Sequence, residues 1–107
     1  MSEKTLKFGL QSEDISKINS VFKKYKSIDK VIIYGSRAKG NYKPASDIDL
    51  TVISVDSDLT FLFRLQTEID DLLLPYKVDL SVYSLLDNEN LKDHINRVGL
   101  LFYEPSA

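Results

Sequence analysis

At 107 residues, 43% of them apolar, the chain has enough material for one compact core and too little for two, so a single domain over 1–107 is expected. Cysteine is absent and histidine occurs once, which excludes disulfides, thiolate catalysis and Cys- or His-rich zinc sites; any metal must be held by oxygen. A formal charge of −2 argues against a broad basic face for nucleic acid, and neither a membrane span nor a secretory signal is legible, which leaves a soluble cytoplasmic protein as the expectation.

In chain order, Ser12 is a plausible N-cap and Ile15, Ile18, Phe22 and Tyr25 recur at helical spacing, predicting a helix over about 13–26. Val31 to Tyr34 is a β-branched and aromatic run ended by Gly35, which predicts a buried strand. After a loop containing Gly40, Asn41 and Pro44, residues 47–53 alternate, with Ile48, Leu50 and Val52 on one side and Asp47, Asp49 and Thr51 on the other, as a second strand does. Asp56, Ser57 and Asp58 supply cap chemistry for a helix over about 59–73 carrying Leu62, Leu65, Ile69 and Leu72, with Pro75 beyond its end. Residues 77–83 alternate again, and a last helix over about 88–98 carries Leu91, Ile95 and Val98 inward and is closed by Gly99. The tail Leu100 to Tyr103 suits an edge strand. Helices alternating with short strands predict an α/β or α+β domain, a small mixed sheet with flanking helices.

The chemistry concentrates in a few positions. Residues i and i+2 of a strand point the same way about 6.6–7 Å apart, so Asp47 and Asp49 present two carboxylates from one face. Two hard cations held by carboxylates, about 3.5–4 Å apart, can clamp both the attacking and the leaving oxygen of a phosphoryl displacement. Asp79 has the same phase in its own strand, and pairing of the two strands would gather three carboxylates. Such a gathering is self-repelling without cations or protons. An isolated Asp-x-Asp more often faces solvent, and Asp56 with Asp58 is better explained by helix capping. Asp47 and Asp49, however, follow a phosphate-binding candidate: Gly35 lets backbone N–H groups approach a phosphate, Ser36 adds a hydroxyl, and Arg37 and Lys39 bring positive charge. Taken alone, Gly35 and Ser36 would be an ordinary strand-to-helix turn.

The segment Tyr34-Gly-Ser-Arg-Ala-Lys-Gly-Asn-Tyr-Lys-Pro-Ala-Ser-Asp-Ile-Asp-Leu50, with the later Lys77-Val-Asp-Leu-Ser81, resembles the signature of the DNA polymerase β-type nucleotidyltransferase superfamily, and most closely its minimal nucleotidyltransferase (MNT) domains. The resemblance covers nearly the whole chain. It implies a nucleotidyltransferase-like fold in which Asp47 and Asp49 bind two Mg²⁺ ions, Asp79 binds the catalytic one and is placed to take the acceptor's proton, and Gly35 and Ser36 hold the triphosphate. Arg37 is at most an auxiliary phosphate contact. The larger members' C-terminal domain is not matched, so the acceptor is undefined. MNT domains act beside helical HEPN proteins in toxin–antitoxin pairs, which implies an antitoxin attaching AMP from ATP to a tyrosine of a HEPN toxin. The competing readings are an antitoxin that works by contact alone, and a small-molecule modifier of the aminoglycoside type, for which a dimer partner would have to supply the substrate domain.

Three further features invite a lesser role. His94 reads as a boundary or core histidine rather than a catalytic base. Tyr34 and Tyr42 flank the nucleotide loop but more often pack than stack on a base. Phe61, Phe63, Phe102 and Tyr103 fill the core or mark a dimer or partner interface.

Overall fold

The computed structural model describes residues 6–56 and 58–106, with only the backbone of Leu6. A tight hairpin of β1 (Leu6–Lys7) and β2 (Leu10–Gln11), absent from the sequence reading, turns through Phe8 and Gly9, both at positive φ. Two-residue strands carry no alternation to detect. Helix α1 (Ser12–Phe22) follows directly. Ser12 is its first residue rather than its cap, and the helix stops short of Tyr25 because Lys24 and Tyr25 donate to the carbonyls of Val21 and Phe22, three residues back. Tyr25 instead lies in the exit turn, where its hydroxyl bonds Glu68 and its ring meets Phe61 edge-on.

Strand β3 (Ile28–Tyr34) starts three residues earlier than the apolar run suggested, since Asp29 and Lys30 interrupt the pattern at an irregularity in the ladder. The short α2 (Gly35–Lys39) leads through a loop to β4 (Ile48–Ser54) and then to α3 (Leu59–Asp70). Ser57 lies outside the described residues. Of the other two cap candidates Asp58 is the cap: its carboxylate accepts the Phe61 N–H at 2.8 Å, whereas the Asp56 N–H donates to the Ser54 hydroxyl. Asp58→Ala is therefore expected to cost about 1 kcal/mol, read as a lower urea midpoint with an unchanged slope. The chain continues through β5 (Val78–Val82), a 3₁₀ turn (Tyr83–Leu85), α4 (Glu89–Val98), capped by Asn88, and β6 (Leu100–Tyr103).

The main sheet has the order β5-β4-β3-β6, antiparallel except for the parallel pair β4–β5, which α3 connects. This is the mixed sheet with flanking helices that the alternation of elements predicted. Val31 and Ile33, Ile48, Leu50 and Val52, and Val78 and Val82 face α1 and α3 and close over Ile18, Phe22, Leu65 and Ile69. Three of the four aromatics that suggested an interface, Phe61, Phe102 and Tyr103, belong to this core, while Phe63 remains exposed. The opposite face carries Tyr34, Asp49, Thr51, Ile53, Asp79 and Ser81, and α4 packs over its β3 side. No described helix is long and apolar enough to cross a membrane.

Candidate active site

Strand register explains how distant residues meet. Tyr34 pairs with Asp49 across the antiparallel ladder, and Asp49 pairs with Asp79 across the parallel one. The three side chains form one row across the open face, on strands spaced about 4.8 Å apart. One step along the strands, Ile32, Thr51 and Ser81 make a second row, in which Ser81 donates to the fully buried Thr51 hydroxyl at 2.8 Å and ties β4 to β5 beneath the carboxylates. Asp47 sits just before β4 and is exposed.

The electrostatics are those of neighbouring carboxylates that repel one another. Burial first, then the charges of Asp79 and Asp47, push the Asp49 carboxyl above its ordinary range; His94 and Lys77 pull in the other direction. Lys77 reaches Asp79 at 3.7 Å, a solvent-exposed ion pair that offsets little of this repulsion. Tyr34, beside both acids, has its phenol pushed up by burial; the Ser81 hydroxyl opposes this and Asp49 and Asp79 add to it. As they stand, no three His, Cys, Asp or Glu groups among the described residues are close enough to share one ion. The in-register, mutually repelling pair of Asp49 and Asp79, with Asp47 near enough to act on it, nevertheless suits a hard divalent cation with oxygen ligands and several waters of its own.

Gly35 ends β3 at φ +74, a left-handed conformation that glycine alone adopts without strain, and a Cβ there would collide with Asp49 Oδ2. The loop backbone therefore lies directly against the central carboxylate. Gly35→Ala is expected to cost about 1–2 kcal/mol of stability through the backbone alone and to displace Asp49 as well, so that nucleotide transfer falls further than the unfolding midpoint does. Ser36 follows in the first turn of α2, and Gly40 closes that helix in a left-handed cap, donating to the Ser36 carbonyl at 2.9 Å.

Arg37 corrects the expectation of a phosphate contact. It is 2% exposed. Its Nε donates to the Ser46 carbonyl, Nη2 to the carbonyls of Pro44 and Ser46, and Nη1 to that of Phe8 at 2.9 Å. The rings of Tyr42 and Tyr76 lie 5.2 and 5.1 Å from the guanidinium carbon. A buried guanidinium engaged by three carbonyls and two rings braces the loop entering β4 and fastens it to the N-terminal hairpin.

His94 takes the boundary position expected of it. It lies half-buried on α4 with its ring edge-on to Tyr34 at 6.1 Å, and its charge bears on Asp49. Its inward position beside Leu91 and Ile95 was legible, but not that this side of α4 crosses the end of β3.

An acidic row flanked by a glycine-serine loop, on a mixed sheet wrapped by helices, defines a nucleotidyltransferase domain. The family described as polymerase beta, nucleotidyltransferase matches residues 16–107, and the chain belongs to it. Among curated proteins it is 30% identical over 97 residues to a "Probable protein adenylyltransferase MntA" of Haemophilus influenzae, covering 89% of this chain and 83% of that one. A Methanocaldococcus jannaschii protein whose name gives the same activity is 35% identical over 75 residues, 69% of each chain. Among solved structures, a toxin–antitoxin complex with AMP-PNP superposes with a TM-score of 0.70 at 20% identity, covering 86% of this chain and 74% of the other. A complex of tri-AMPylated Shewanella oneidensis HEPN toxin with MNT antitoxin gives 0.66 at 18% identity, covering 90% and 74%. At these identities the structural likeness speaks for the fold.

Proposed function

We propose that this nucleotidyltransferase moves AMP from Mg²⁺-ATP to a tyrosine hydroxyl of a HEPN-type toxin and thereby acts as its antitoxin in the cytoplasm. The observation that carries the reading is the in-register placement of Asp49 beside Asp79, with the Gly35 backbone packed against Asp49. The adenylyltransferase names of the two relatives, and the AMPylated toxin held by a protein of the same fold, point to the same donor and acceptor class.

In this mechanism Gly35 and Ser36 hold the β- and γ-phosphates, and Asp47, Asp49 and Asp79 hold Mg²⁺. Mg²⁺ supplies charge neutralisation at the phosphates, the larger part of what phosphoryl transfer requires. The acceptor oxygen forms a bond to the α-phosphorus, the bond from that phosphorus to the oxygen bridging to the β-phosphate breaks, and pyrophosphate leaves. Asp79, on the edge strand, receives the hydroxyl proton. Ser81 and Thr51 keep the two strands in register beneath it.

The test is incubation with Mg²⁺ and α-³²P-ATP, with and without the product of the neighbouring reading frame, followed by denaturing electrophoresis. Label on a partner protein that disappears with Asp49→Asn supports the reading. A tight, unlabelled complex would replace it with neutralisation by binding alone.

A further inference from the structure

Below the acidic row and the hydroxyl row, the open face has a third: Lys30 pairs with Ile53, and Tyr83 follows directly after the Val52–Val82 pair. Here α4 leans over the sheet and closes a cleft of about 270 Å³ between Ile32 and Ile53 on the floor, Ile95 and Asn96 on the roof, and Lys30 and Tyr83 at the sides. The face thus changes character along the strands, from carboxylates through hydroxyls to an apolar slot. From Asp49 to Ile53 is four residues of strand, about 13 Å.

We propose that this cleft is the subsite for the adenine base of the donor nucleotide. The proposal rests on the phosphate-site reading above and adds to it where the nucleoside goes. An in-line displacement sets the leaving pyrophosphate, the α-phosphorus and the acceptor oxygen on one axis. With pyrophosphate at Gly35 and Ser36 on the β3 side and the acceptor at Asp79 on the β5 side, that axis runs across the strands. The nucleoside must leave the α-phosphorus sideways, and along the strands this face runs past the Thr51–Ser81 pair to the cleft.

The lining matches a purine. Ile53 and Ile95 offer apolar surface and Tyr83 an aromatic ring, the surroundings in which flat bases bury their faces. Asn96 offers an amide with one donor and one acceptor, the pairing that reads the N6/N7 edge of adenine. Among the described residues this amide hydrogen-bonds the Tyr83 hydroxyl alone, over 3.3–3.4 Å, a contact long enough to give way to a ligand.

Titration calorimetry of the whole chain with Mg²⁺-ATP, Mg²⁺-UTP and Mg²⁺-tripolyphosphate tests this. Wild type should bind ATP more tightly than the other two. Asn96→Ala should lower the ATP-to-UTP affinity ratio about tenfold and leave tripolyphosphate binding where it was. Ile53→Phe, which narrows the slot from a half-exposed position, should weaken ATP but not tripolyphosphate. An unchanged ratio in both variants, with tripolyphosphate still bound, overturns the base subsite and leaves the phosphate site standing. Loss of tripolyphosphate together with ATP in Asn96→Ala also overturns it, because Asn96 would then serve the phosphate end. Failure of wild type to bind any of the three removes both readings.

Discussion

Asp49→Asn is expected to lower the rate of AMP transfer by about 10²–10³-fold or more, the cost of removing a charged group from the centre of an electrostatic site. The fold should not suffer. Burial and the neighbouring acids hold the Asp49 proton more tightly in the folded chain than in the unfolded one, so folding takes up a proton. Its stabilising contribution is fullest below the unfolded carboxylate's range and is lost as pH rises through the raised folded value. At neutral pH the charged side chain opposes folding, and the neutral amide does not. Urea unfolding without Mg²⁺ should place the variant at or above wild type, while added Mg²⁺ should stabilise wild type more than the variant. A variant clearly less stable than wild type in the absence of Mg²⁺ would contradict the repulsion assigned to the acidic row.

Arg37→Met should be among the most damaging single changes in the chain. It leaves the carbonyls of Phe8, Pro44 and Ser46 without their charged donor and empties the space between Tyr42 and Tyr76. The expected loss is about 3–4 kcal/mol, which at this chain length lowers the melting temperature by roughly 15–25 °C. Arg37→Lys keeps the charge but loses the planar fork, so it should recover only part of the loss. Thermal melts separate this from the role of a phosphate contact: an Arg37→Met protein that melts with wild type and has only lost ATP affinity would restore Arg37 to the phosphate. Because the braced loop delivers Asp47, residual activity in the folded fraction should also show a raised KM for Mg²⁺-ATP.

Arg37 shows where sequence stops informing. The meeting of Asp49 with Asp79 was legible because strand alternation fixes the face on which a residue lies, and the ladder then makes neighbours of residues that share a phase. The long helices, β4 and β5 were legible by period, and β3 as a β-branched run ended by Gly35, with ends shifted by a few residues where side chains outside the periodic stripe decide the last turn. Arg37 and His94 depend on a different kind of fact. Whether a cation next to a phosphate loop turns toward the ligand or into the protein depends on where spare carbonyls lie, and those of Phe8 and Ser46 come from segments on either side of it in the chain. Likewise the inward side of α4 was predictable, but that it rests on Tyr34 follows from the crossing of α4 over β3. The β1–β2 hairpin was invisible because two residues of strand cannot show a period.

The parallel pairing of β4 with β5 has a consequence for timing. Thr51 and Ser81, which hold the two strands together, are 30 residues apart, and α3 must form and swing across before they meet. During synthesis the glycine loop and the first two aspartates emerge well before the third, so an unfinished chain has no completed acidic row. β5 is also one of the two edge strands of the main sheet, and each opening of it carries Asp79 away from Asp49. Nucleotide with its cation, by bridging the two carboxylates, should slow hydrogen exchange at the β5 amides more than at those of β3. The catalytic site would then serve as the latch that keeps its own edge strand shut.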